Sequence, residues 1–503
     1  MKMSSAAFPK DSLNKWLPVS LFLFVFGAIV LATLYFSPSW GLMDDFGLLK
    51  MAREFKANPA HYQEVTDNFI TSGMLRPFYY SWAAVFYGVF ENHPAAFYVF
   101  VAAWNMLAMI FWGIAFYHLF GVRKEDRFWT VFFYPLSFFV FTAYWNIFNY
   151  LSLQEKFVVF FAPLAMYFFQ KLYQEFDKRD LFWLCLCMGL GLMSKATFVY
   201  VPFAFLVYAL LDVTIVRYKP KTSWIFLVLN GFIFGLYAVF TLTFQIHGNY
   251  TSKYKDGLDA HNFIQKIVQL SAVMKILIII GVIGMAGILF YAVAGKRKER
   301  SLGVLIYLSL LAYIGLLIPW GSQSYLVSAI GPLALGALFP LYAWLNARGG
   351  VIKFLLNSLV IIVIGVIFVG NILPNISRMG DIGRAIAFVS RQDASSDNIY
   401  FMPPPYVESA DATRKFTGKN IFYCGDGKIS RDLLSPNGSS YVIFVDLFPS
   451  IILQGVEVGP LVFKNGTWQI FELRPGIPGT EQTFRVPFEK TFVQQLKSKI
   501  REL

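Results

Sequence analysis

Apolar runs of near-equal length, separated by short polar stretches, dominate residues 1–373. About 20 apolar residues are needed for a helix to cross the ~30 Å hydrocarbon core of a bilayer. The pattern therefore predicts crossings near 17–36, 94–120, 128–145, 156–172, 181–194, 197–213, 224–245, 272–294, 303–319, 325–344 and 352–373, eleven in all. Residues 181–213 read either as one long helix or as a pair turning at "MSKAT". A single helix would bury Lys195 near its middle, which is costly in lipid. Gly189, Gly191 and Pro202 also favour a break, so the pair is the expectation. The first run is followed by Pro-Ser-Trp with no small-residue cleavage signature, and reads as a retained helix.

Two stretches break this rhythm. Residues 37–93 form a long loop in which "LLKMAREF" and "RPFYYSWAAVFYGVF" mix apolar, aromatic and basic positions at helical intervals. Both suit helices lying in the interface. The second stretch, 246–271, is a polar loop. From Pro374 onward the pattern changes again. "RMGDIGRAIAFVSRQD" reads as an amphipathic helix, while "NIYFM", "SYVIFVDLF", "GPLVF" and "TWQIFEL" read as strands. "KNGT" at 464–467 signals a hairpin turn, because Asn-Gly tolerates positive φ. The expectation is a transmembrane unit over 1–373, with 37–93 as its long external loop, and a separate small α/β domain over 374–503.

Composition agrees with a membrane chain. The 503 residues are 57% hydrophobic and 18% aromatic, only 15% are charged, and the mean hydropathy is +0.54. A soluble domain would carry about 25% charge. The net charge of +13 comes largely from Lys and Arg in loops on one side of the predicted spans: 2–15, 123–127, 171–179, 217–221, 296–300 and 348–353. Topology accounts for it, and no nucleic-acid partner is implied. That side is the cytoplasmic one by the positive-inside rule. The N-terminus is then cytoplasmic, and the 37–93 loop and the C-terminal α/β domain are extracytoplasmic. Three cysteines, Cys185, Cys187 and Cys424, make neither a disulfide framework nor a zinc site.

The candidate chemistry gathers on the external side. Asp44 and Asp45 directly follow the first run in "SPSWGLMDDFGLLKMAREF". Neighbouring carboxylates resist simultaneous ionisation, so one is held as an acid while the other stays an acceptor-only base. A base there suits proton removal from a sugar hydroxyl. The same acids also suit the start of a helix, as a cap and as charges favoured by its dipole; the residues alone leave both readings open. Arg76 and Lys195 offer fixed cations for a substrate anion such as a lipid phosphate, against plain snorkelling. Glu155 reads as a second acid for a metal ion or for acceptor binding, or as a surface charge paired with Lys156. In the polar kink of "LLIPWGSQSYLVSAIGPLALGAL", Trp320, Gln323 and Tyr325 suit sugar stacking and hydrogen bonding, or interfacial anchoring. The five histidines, His61, His93, His118, His247 and His261, show no ligand spacing. No metal site and no cofactor is assigned, and a divalent cation is compatible with the acids. Walker, GxGxxG, GxSxG and HExxH patterns do not occur.

Three pieces, in order and in sidedness, resemble the GT-C superfamily of membrane glycosyltransferases. They are "SWGLMDDFGLL", "LGLMSKATFVYVPFAFLVYALL" and "SQSYLVSAIGPLALGAL". The likeness is to the protein O-mannosyltransferase and lipid A aminoarabinose transferase branches. It implies a polytopic α-helical membrane fold, in keeping with the eleven crossings read from the apolar runs, in a bacterial inner membrane. It implies an inverting transfer of sugar from a polyprenyl-phosphate donor to an extracytoplasmic glycan, lipid or protein hydroxyl. By the same likeness, Asp44 and Asp45 are the candidate base and its neighbour, Lys195 matches the lysine of a Thr-Lys turn, and Tyr325 and Pro332 match a Tyr–Pro run. Where some branches carry a lysine before that tyrosine, this chain has Ser322, Gln323 and Ser324. The rival expectations are a lipid-linked glycan polymerase or ligase, leaning on external Arg and His, and a flippase or transporter. A transporter would place ionisable groups deep within several spans.

Overall fold

Among the described residues, helices occupy the chain to Leu373 and strands follow from Asn398. The computed structural model describes residues 10–38, 45–60, 76–91, 93–140, 147–148, 151, 154–240, 302–320, 329–347, 350–373, 376, 398–402, 420–423, 428–436, 439–444, 450–465 and 468–485. The helices are α1 (Lys10–Phe36), α2 (Asp45–Ala57), α3 (Pro77–Val89), α4 (Pro94–Leu119), α5 (Glu155–Gln174), α6 (Lys178–Leu192), α7 (Tyr200–Leu211), α8 (Pro220–Phe240), α9 (Val304–Trp320), α10 (Ile330–Ala347) and α11 (Gly350–Ile367).

Four stretches among the described residues are long and apolar enough to cross a membrane: Trp16–Phe36, Pro94–Leu119, Ala196–Val216 and Lys353–Gly370. Val304–Leu316 and Ile330–Asn346 are shorter apolar helices. This set does not amount to eleven crossings. The 272–294 segment lies outside the described residues, and α6, with 15 residues, reaches only ~22 Å. The outer helices are bare. Only 11% of the Lys353–Gly370 window is buried within the protein, and Phe354, Leu355, Leu359, Ile362 and Val366 are exposed. Such a face is unstable against water and is at home against lipid tails.

Over its described part, 128–140, the apolar run at 128–145 does not form the regular helix expected from its sequence. Trp129–Phe133 takes a wider five-residue turn and Tyr134–Val140 a tight 3₁₀ winding. Pro135 lacks the N–H that would bond to Val131, and its ring would clash with that carbonyl, so the regular ladder cannot pass. The irregular segment lies backbone to backbone on α4: a Cβ placed on Gly113 would lie 2.4 Å from the Val131 carbonyl oxygen.

The expected turn at "MSKAT" is present. Helix α6 stops at Leu192, Met193–Lys195 turn, and a 3₁₀ stretch, Ala196–Val199, leads into α7. The turn is tight because Gly191 has no side chain: a Cβ there would sit 2.5 Å from the Phe198 ring. Its backbone is held by Ser194 N–H and Lys195 N–H, both donating to the Gly191 carbonyl, each at 3.1 Å.

The strands are β1 (Asn398–Met402), β2 (Asn420–Tyr423), β3 (Lys428–Ser430), β4 (Ser440–Phe444), β5 (Ser450–Gln454), β6 (Val456–Asn465), β7 (Trp468–Pro475) and β8 (Glu481–Arg485). They make a mixed five-stranded sheet ordered β2-β1-β4-β7-β6 and a three-stranded sheet ordered β3-β5-β8. Asn465 pairs with Trp468 across β6 and β7, so a hairpin lies where "KNGT" signalled one, with Asn465 as the last residue of β6 and not in the turn. Side-chain alternation gives the larger sheet two apolar faces. Val442, Phe471 and Leu473 join Ile429, Ile451, Leu453 and Val456 in a small core of their own. The neighbouring pair Ile443 and Ile470 belongs instead to the large apolar core that includes Ile372 and Ile376. The amphipathic helix expected at 378–393 lies outside the described residues.

Candidate functional site

Aromatic packing brings the start of α5 against α3 and α4. Phe157 receives the edges of Phe78, Trp82 and Trp104, at centroid distances of 5.7, 5.1 and 5.8 Å. Helix α5 is further tied to α4 by Trp112 Nε1–H, which donates to the Val159 carbonyl at 2.9 Å. Two residues before Phe157, Glu155 is therefore carried inward, with 1% of its surface exposed. The reading of Glu155 as a surface charge paired with Lys156 does not hold. Lys156 is itself fully buried, donates to the Leu151 carbonyl and lies over the Trp82 ring at 4.9 Å.

The partner of Glu155 is Lys195, from the turn between α6 and α7. Its Nζ is 3.0 Å from Glu155 Oε1, with side-chain exposures of 11% and 1%. Two residues named separately from the sequence are thus one ion pair, in a setting where charges are stable only when matched.

Around this pair lies a set of polar groups that sequence reading did not single out. Tyr313, from α9, has Glu155, Tyr200 and Thr197 as its electrostatic neighbours, and its ring meets that of Tyr200 at 5.1 Å, edge on. Thr197 and Tyr200 are buried. The Tyr200 hydroxyl, the Gln154 side-chain carbonyl and Glu155 Oε2 have no hydrogen-bond partner among the described residues, while the Thr197 hydroxyl is a side-chain hydrogen-bond neighbour of Tyr313. The available signal was weak: isolated polar residues inside apolar runs, at two and five positions beyond Lys195.

The remaining candidates are placed less completely. Arg76 is the half-buried residue just before α3. Phe78 and Tyr79 pack on Phe157, with centroids 5.7 and 6.1 Å apart, so the first turn of α3 adjoins the first turn of α5. Asp45 is the first residue of α2, and α2 packs its Leu48, Leu49 and Ala52 into the same core as α3. Arg53 of α2 pairs with Glu91 beyond α3. Asp44, Gln323 and Tyr325 lie outside the described residues, as do the Asp45 and Trp320 side chains; Trp320 closes α9. Among the described residues no three His, Cys, Asp or Glu cluster as metal ligands.

No family profile and no curated protein sequence matches the chain. In shape it is similar to a crystal structure of ArnT from Cupriavidus metallidurans bound to undecaprenyl phosphate. The TM-score is 0.46 at 14% identity, over 90% of this chain and 97% of that one. A superposition at this level assigns neither family nor activity.

Proposed function

We propose that the chain is an inverting membrane glycosyltransferase that takes sugar from a polyprenyl-phosphate donor at the extracytoplasmic face of a bacterial inner membrane. The observation that carries this reading is the buried Glu155–Lys195 pair, standing where the starts of α3, α5 and α7 meet. It is supported by the three sequence pieces that resemble the GT-C superfamily.

In this reading an acceptor hydroxyl loses its proton to Asp44 or Asp45, and its oxygen forms a bond to the anomeric carbon. The bond from that carbon to the phosphate oxygen breaks on the opposite face, inverting the centre. The electron pair leaves on the polyprenyl phosphate. A phosphate is already a good leaving group, so no acid must protonate it; what it needs is fixed positive charge. Lys195 supplies that charge and Glu155 holds the ammonium in place. Arg76, at the adjoining start of α3, is the second cation. Trp320, Gln323 and Tyr325 are assigned to the acceptor or sugar side, and the strand region to shaping acceptor entry.

A transporter fits less well. The buried charges Glu155, Lys156 and Asp212 stand at helix ends, where they serve a mouth and not a path through the bilayer.

The test is stabilisation of the purified chain by undecaprenyl phosphate, the leaving group of the proposed reaction. Saturating lipid phosphate is expected to raise the melting temperature of the wild type by several degrees, and that of Lys195→Met far less. No shift in the wild type, or equal shifts in both, rejects the reading.

A further inference from the structure

Deepening the reading above, and resting on it, we infer that Glu155, Thr197 and Tyr200 form a subsite that reads neutral hydroxyls of the transferred sugar. The juxtaposition is specific. Glu155 starts α5, Thr197 and Tyr200 follow the Met193–Lys195 turn, and Tyr313 of α9 stands among all three.

Buried polar atoms in a native protein are nearly always hydrogen-bonded. Here Glu155 Oε2, the Tyr200 hydroxyl and the neighbouring Gln154 carbonyl have no hydrogen-bond partner among the described residues, while Glu155 Oε1 faces the Lys195 ammonium and the Thr197 hydroxyl meets Tyr313. Thr197 is 8% exposed, Tyr200 1% and Glu155 1%, so bulk water does not satisfy them. Burial makes such groups costly unless a ligand completes them.

The chemistry of the set selects the ligand. The carboxylate and the amide carbonyl only accept, and the two hydroxyls both donate and accept. The complement is a ligand with several donors that also carries acceptors, which describes a polyol. A cation is the rival occupant, and Lys195 argues against it. Its ammonium is already 3.0 Å from Glu155 Oε1, and a second positive charge beside the same buried carboxylate would be repelled at low dielectric. A neutral sugar hydroxyl meets no such opposition. The pair then has two tasks: Lys195 turns toward the phosphate, and Glu155 toward the ring it carries. A site built to hydrogen-bond hydroxyls also rejects analogues lacking them by large factors, because its own groups are then left unpaired.

The test measures binding by the purified full chain in lipid nanodiscs. The probes are undecaprenyl phosphate and undecaprenyl phosphates bearing mannose, arabinose or glucosamine, with wild type, Thr197→Val, Tyr200→Phe and Glu155→Gln. The wild type should bind at least one neutral-sugar lipid about tenfold or more tightly than undecaprenyl phosphate. Thr197→Val and Tyr200→Phe should each lose most of that increment while binding undecaprenyl phosphate as the wild type does, whereas Glu155→Gln, which also frees the Lys195 ammonium, should weaken both lipids. Tyr200→Phe should melt no lower than the wild type, because it removes a hydroxyl that has no partner among the described residues. The inference is overturned if no neutral sugar adds affinity, if Thr197→Val and Tyr200→Phe lose both lipids alike, or if glucosamine is preferred through Glu155. Wild type that binds no lipid phosphate at all would remove the parent reading as well, so the two failures are distinguishable.

Discussion

Lys195 holds its ammonium 3.0 Å from the Glu155 carboxylate, joining the turn between α6 and α7 to the first residue of α5. The two belong to segments that the sequence separates by a whole helical hairpin. Neither charge could stay buried alone.

Glu155→Ala should therefore cost about 3–5 kcal/mol, the usual loss when one partner of a buried pair is removed. Glu155→Gln with Lys195→Met should recover much of that stability, because no uncompensated charge remains, yet should not recover catalysis. Thermal melting and turnover measured on the same preparations would check both halves. Single and double variants that melt alike would show that the pair is not coupled.

The turn that presents Lys195 depends on Gly191. Gly191→Ala should lose about 1–3 kcal/mol by overpacking against Phe198, and Gly191→Ala with Phe198→Leu should regain part of it. Gly189, two residues earlier, has nothing within 4 Å of a Cβ placed there. Gly189→Ala should be neutral or slightly stabilising, as alanine favours a helix. Equal losses at both positions would mean that the contact with Phe198 does not set the turn.

At the other end of α7, Asp212 caps the start of α8. Tyr218 N–H donates to its Oδ1 at 2.8 Å, Lys219 N–H to its Oδ2 at 3.1 Å, and the Ser223 hydroxyl also to Oδ2. Asp212→Asn replaces one acceptor oxygen by a donor and should cost about 1.5–3 kcal/mol, the range for a hydrogen bond to a charged group. Because this cap stands apart from the Glu155–Lys195 pair, KM for the donor should not change, which a steady-state assay at a permissive temperature reads directly.

Much of this organisation could be read from the residues. Apolar length marked α4, α5 and α11, the buried lysine argument marked the turn at Lys195, and Asn-Gly marked the β6–β7 hairpin. What escaped was tertiary. An apolar run gives no sign that Pro135 and the approach of Gly113 will force 129–140 out of regular winding. Strands β2, β3, β5 and β8 are short and take their pairing from distant segments, so local alternation was too brief to reveal them. Glu155 and Lys195 were each identifiable as charges in apolar surroundings, but their pairing depends on Phe157 packing into Phe78, Trp82 and Trp104. Thr197, Tyr200 and Tyr313 looked like ordinary polar residues in membrane helices; only the convergence of Thr197, Tyr200 and Glu155 around Tyr313 distinguishes them.

The most direct measurement is transfer of labelled sugar from a polyprenyl-phosphate donor by the purified chain, with Asp44→Asn, Asp45→Asn and Lys195→Met alongside, all verified by melting. The account predicts turnover by the wild type with inversion at the anomeric carbon. It predicts a loss of about a hundredfold or more in at least one aspartate variant, within the range for a lost general base, and a similar loss in Lys195→Met. Full turnover in both aspartate variants and in Lys195→Met, with normal melting, would contradict it.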